Sequence, residues 1–162
     1  MRKALVITLV SIAFLFMFAG LMFWAQSHFH MSKHAPKTHG QATLPVTQLT
    51  IGTTTLQVEM ATTEDQEQQG LSGRSGLPVG GGMLFVFDPP RIPGFWMKDM
   101  LFPLDIIFIN GEGRVVTVHK NVAPETYPAV FRPSAPAHYV LEVPAGFADA
   151  HTIAEGAKVV VQ

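Results

Sequence analysis

From residue 46 to residue 161 apolar and polar positions alternate in short runs, the two-residue period of strands whose faces meet different surroundings. "VTQLTI" and "TTTLQVEMA", either side of Gly52, predict a hairpin rich in Thr and Val. The period then breaks at "TTEDQEQQG". Here Thr62 or Thr63 can cap a short helix, Glu64 and Asp65 suit its positive end, and Gly70 stops it. "LPVGGGMLFVFD" feeds three glycines into an apolar strand. No Gly-Lys-Ser/Thr follows, so the glycines predict a turn or a close backbone approach rather than a phosphate loop. "GFWMKDM", "PLDIIFI", "RVVTVHK", "HYVLEVP" and "AKVVVQ" predict further strands. Asn110-Gly111 and Gly113 supply a turn, four prolines make "APETYPAVFRPSAPA" irregular, and "AGFADAHT" predicts a second short helix. The expected fold over residues 45–162 is mainly β (α+β): a compact antiparallel sheet, barrel-like, with one or two short helices.

Ahead of this domain the pattern is different. Arg2 and Lys3 precede an uncharged apolar run from Ala4 to Ala25, which as a helix would span roughly 33 Å, enough for a bilayer core. Trp24 fits an interfacial anchor, and the two basic residues favour a cytoplasmic N-terminus. Residues 1–25 are therefore expected to be a transmembrane anchor, with a cleaved signal as the alternative, since Ala25 and Ser27 offer a small-x-small site. Residues 26–44 read as a flexible His-rich tether. His28, His30, His34 and His39 could bind a transition metal, but four His without a fixed geometry seldom make a tight site, so a solvated linker is the reading and no metal site or cofactor is expected. The expected location is the inner (cytoplasmic) membrane, single pass, with the domain on the periplasmic or extracytoplasmic side.

Charge narrows the partners. The first 44 residues carry four basic residues and no acid, which leaves seven Lys and Arg against twelve Asp and Glu in the remainder, a net charge near −5. An acidic domain without a basic stripe repels phosphate backbones, so nucleic acid is not an expected partner. The chain has no cysteine, which excludes thiol catalysis and Cys-ligated metal.

The candidate chemistry lies in "PGFWMKDMLFPLDIIFING", where Lys98, Asp99 and Asp105 interrupt about a dozen apolar residues. Alternation puts Leu104, Ile106 and Phe108 on one face of a strand, and Asp105 with Ile107 and Ile109 on the other. A buried, unpaired carboxylate costs several kcal/mol, so Asp105 needs a partner, with Arg74 and Lys98 the expected cations. Two readings stand: Asp105 pins a turn, satisfied by Arg74, or it belongs to a polar pocket walled by Trp96. In "GFWMKDM" the same alternation groups Trp96, Lys98 and Met100. Glu142 in "YVLEVP" faces away from Leu141 and Val143 and is a further candidate neighbour. No Gly-x-Ser-x-Gly elbow or His-Glu-x-x-His helix is present, and His119, His138 and His151 are scattered.

"GLSGR", "GMLFVF", "FWMKDMLFPLDIIFI", "YVLEVPAG" and "GAKVVV", in that order, resemble the bacterial and archaeal family known as domain of unknown function 192, over residues 46 to 161. The resemblance implies a small, mostly β, barrel-like domain, often behind a signal or membrane anchor, and implies no particular activity. Arg74 and Asp105 match motif positions. The family usually has Asn after the Trp-Met-Lys triplet, where this chain has Asp99.

The functional expectation is a membrane-tethered envelope domain that binds a small anionic ligand or an envelope protein. Arg74 and Lys98 would hold the anion, Trp96 would stack on it and Asp105 would orient the cations. No catalytic residue is assigned. The alternatives are an envelope hydrolase using Asp99 or Asp105, and a purely structural interaction module.

Overall fold

The computed structural model describes residues 44–162. The expected anchor lies outside the described residues, as does the tether apart from Leu44. Among the described residues no helix is long and apolar enough to cross a membrane.

Seven strands form one sheet: β1 Val46–Ile51, β2 Thr54–Ala61, β3 Gly81–Arg91, β4 Leu104–Ile109, β5 Val115–Val122, β6 Ala137–Pro144 and β7 Val159–Val161. Their order is β5-β4-β6-β3-β2-β1-β7. The β1–β2 hairpin forms about Gly52 as expected, and every pairing is antiparallel except β2 with β3. That parallel pair needs a crossover, which contains α1, Glu64–Gln69. Thr63 caps α1 with a reciprocal capping box to Gln66, and Gly70 ends it. A four-residue helix, α2, covers Phe147–Ala150.

The sheet curls until its two edges touch. Arg114 bridges Lys158, the Val159 N–H donates to the Gly113 carbonyl at 2.8 Å, and the Val115 N–H donates to the Ala157 carbonyl at 3.0 Å. Gly113 has φ 69°, and a Cβ there would sit 2.6 Å from the Val159 carbonyl oxygen, so a side chain would push the seam apart. Curling separates two cores. One draws residues from all seven strands, including Leu49, Val58, Leu84, Ile107, Leu141 and Val159, and fills the inside. The other, around Met83, Phe85, Ile106, Phe108 and Val140, covers the opposite face of the middle strands. Every residue of β4 is buried because both its faces meet a core. This explains why "LDIIFI" is apolar almost throughout.

The segment before β4 departs from expectation. "GFWMKDM" is not a strand: Phe95 makes a single bridge to Phe131, and the chain then turns. Asp99 has φ 56°, a left-handed conformation incompatible with strand alternation and one that Asn and Asp tolerate better than most residues. Met97 and Met100 are consequently the buried pair, while Trp96, Lys98 and Asp99 are exposed. The segment lies over the second core as a cover. The Gly73 N–H donates to the Asp99 carbonyl at 2.8 Å, and the Ser72 hydroxyl to the Lys98 carbonyl at 2.9 Å.

The three glycines behave as the sequence suggests. Gly80 takes φ 69° in a turn, and Gly82 lets β3 approach β6: a Cβ would lie 2.8 Å from the Glu142 carbonyl oxygen. Gly82→Ala is expected to lower stability by about 1–3 kcal/mol through this overpacking, measured by urea unfolding.

Candidate functional site

Asp105 is fully buried, and its partners are not the expected cations. Its carboxylate accepts from the Asn121 N–H at 2.7 Å, the Gly146 N–H at 3.3 Å and the Ala148 N–H at 2.7 Å. Gly146 is the N-cap residue of α2 and, being glycine, has no side chain with which to cap it. Asp105 supplies the cap from 41 residues away and ties β4, β5 and α2 together. Asp105 does pin backbone, but that of the distant Asn121, Gly146 and Ala148 rather than a turn after Pro103, and neither Arg74 nor Lys98 satisfies it. Arg74 instead grips Glu59 with both terminal nitrogens, at 3.0 and 2.6 Å. The physical reason is strand register, which places Glu59 beside the turn that carries Arg74. Lys98 is exposed and makes no ion pair among the described residues. Among the described residues no side-chain hydrogen bond or ion pair joins any two of Arg74, Trp96, Lys98 and Asp105.

Trp96 lines a groove that suits a ligand. An open groove of about 1020 Å³ runs between α1, β3 and the start of the covering segment. Phe85, Phe87, Phe95, Trp96 and Met100 supply its apolar lining. Phe95 is held by reciprocal backbone hydrogen bonds to Phe131 and packs edge-on against Phe85 and Phe108, with centroids 4.9 and 5.7 Å apart. Glu64, Glu67 and Asp88 make the charged part of the lining mostly acidic. Arg91 is already engaged, with Glu67 at 2.6 Å and its guanidinium 4.4 Å from the centre of the Phe87 ring.

Glu142 also lines this groove. It is 6% exposed and sits opposite Met83 on β3 and Ile106 on β4, diagonal to Phe85. Its side chain has no hydrogen-bond or ion-pair partner among the described residues. Glu59 shares its face of the sheet but is taken by Arg74. Burial alone pushes the Glu142 carboxyl up to about 8, so it holds a proton at neutral pH.

Glu142 appears in the sequence only as an acid in an alternating strand, and that signal is sound: it does face away from Leu141 and Val143. Its isolation could not be read there, because it depends on which cations other strands capture. Neither Asp99 nor Asp105 lines the groove. His119 is spent on an internal contact, its Nε2 lying 2.9 Å from the Arg132 carbonyl oxygen. Among the described residues no three His, Asp or Glu side chains come together as a metal site.

Fold and groove define a small, curled β-domain with an unpaired acid at an aromatic cleft. The chain belongs to the domain of unknown function 192 family, whose model, described as "Uncharacterized ACR, COG1430", matches residues 47–161. Two crystal structures are similar, each with a TM-score of 0.70. A protein of unknown function from Novosphingobium aromaticivorans DSM 12444 is 32% identical, the match covering 79% of this chain and 94% of that one. A putative transcription regulator from Sinorhizobium meliloti 1021 is 30% identical, with 75% and 98% covered. No curated protein matches the chain.

Proposed function

We propose that the protein is a membrane-tethered envelope domain that binds a small ligand in the groove lined by Trp96, Phe85 and Glu142, without turnover of its own. The observation that carries this reading is Glu142: a buried acid with no protein partner, open to an aromatic cleft. Buried polar groups are normally satisfied, and those left free at a concave apolar site are the usual marks of ligand recognition. Binding rather than hydrolysis is favoured because Glu142 is the one buried carboxylate of the groove lining: Glu67 is paired with Arg91, and Glu64 and Asp88 are exposed. An anionic ligand, as the sequence suggested, is less well supported. Arg74 is neutralised by Glu59, Arg91 by Glu67, and Lys98 is not among the groove residues.

Tethering rests on the apolar run from Ala4 to Ala25 behind Arg2 and Lys3. Cell fractionation is expected to leave the full-length chain in the membrane, with the domain digested by protease only once the outer compartment is opened. A soluble form beginning near His28 would show a cleaved signal instead. The groove itself is tested by a fragment screen followed by NMR. Bound compounds are expected to perturb the Trp96 indole and to weaken on Trp96→Ala; hits that perturb only other surfaces would remove the binding reading.

A further inference from the structure

We infer that the ligand class is an organic ammonium ion on an apolar body, its charge set on Glu142 and its carbon frame against the aromatic wall. This rests on the groove being a binding site and adds what it selects. Aromatic faces attract cations through their quadrupoles, and a carboxylate in a dry cleft gains more from an ion pair than one in water. Trp96 presents an exposed ring, 53% accessible, at the same groove that Glu142 lines. Phe85 lies diagonally across the β3–β6 pairing from Glu142. An anion would meet Glu64, Glu67, Asp88 and Glu142, with Arg91 the one cation in the lining.

The other charged groups on the elements packed around Glu142 are accounted for. Glu59 and Arg74 neutralise each other on the same sheet face, as do Glu67 and Arg91 beside α1. Met83 and Ile106, the flanking residues on β3 and β4, carry no charge. Lys98 and Asp99 on the covering segment are exposed. Glu64 and Asp88 remain as acids of the groove lining and favour a cation. Glu142 therefore gains charge only by releasing its own proton, and an ammonium ligand would drive that release. One proton leaves the carboxyl for solvent as the cation enters.

Isothermal titration calorimetry on the full chain in detergent micelles tests this with benzyltrimethylammonium, which has a fixed charge, and benzyl alcohol, which has none. The quaternary ion is expected to bind, to release close to one proton per site at pH 7, and to tighten about tenfold or more between pH 6 and 8. Glu142→Gln should remove both the pH dependence and about tenfold or more of the affinity. Trp96→Leu, at an exposed position, should weaken the ion about threefold more than it weakens benzyl alcohol. Equal binding of the two probes, or a pH-independent affinity for the ion, would overturn the ammonium assignment. Benzyl alcohol binding at Trp96 without any binding of the ion would do so while leaving the groove a ligand site. If neither probe nor any screened fragment reached the groove, the binding reading would fail as well.

Discussion

Replacing Asp105 with Ala is expected to cost the domain about 3–5 kcal/mol, because three N–H donors gathered on one buried carboxylate, that of Ala148 itself buried, lose their acceptor together. The carboxylate serves them with both oxygens: Oδ1 accepts from Asn121 and Gly146, and Oδ2 from Ala148. Asp105→Asn should cost less, about 2 kcal/mol, since an amide keeps one acceptor but turns an NH₂ group toward a donor. Arg74 provides the control. Its bond is to Glu59, so the losses in Arg74→Met/Asp105→Leu should add to within about 0.5 kcal/mol. Urea unfolding of a domain beginning at Leu44, whose single tryptophan is Trp96, measures these variants together with the single Arg74→Met and Asp105→Leu. A strongly non-additive double mutant would mean that Arg74 and Asp105 interact after all.

Glu142 should govern how stability varies with pH. Its folded-state value lies at about 8, against 4.5 without burial, so the folded protein binds a proton more tightly than the unfolded chain. Stability from this group is therefore complete below about pH 4.5 and declines as pH rises through about 8, by an amount on the order of 3–5 kcal/mol. Glu142→Gln carries no proton to lose. The variant should match the parent near pH 5 and exceed it by that amount near pH 9, the difference between the two removing contributions from other groups. A constant difference across this range would mean that Glu142 is solvated or paired in the folded state. The same acid would then be unsuited to the ammonium site, so this measurement is informative without any ligand.

These two acids show why the site was only partly legible. Both sit in apolar strands, and the two-residue period correctly assigns their faces: Asp105 with Ile107 and Ile109, Glu142 away from Leu141 and Val143. The period carries no information about partners. Asp105 is satisfied by backbone groups of Asn121, Gly146 and Ala148, which any sequence could supply and no residue type advertises. Arg74 looked available because nothing local claims it; Glu59 claims it across the parallel β2–β3 crossover. Trp96 lines the groove by way of a turn rather than the expected strand, and without the other three expected residues.

What the sequence by itself determined is local. The hairpin at Gly52, the capped turn of helix at Thr63 and the Asn110 turn follow from capping, turn chemistry and hydrophobic spacing, which act over a few residues. The family also followed from motifs in their order. Tertiary structure alone decided the parallel pairing of β2 with β3, the seam between Arg114 and Lys158, and the capture of Arg74 by Glu59. It also decided that Glu142, among the acids of the sheet, is the one buried without a partner. Long-range register decides which charges meet, and an acid becomes a candidate site when the chain's folding has assigned every nearby cation elsewhere.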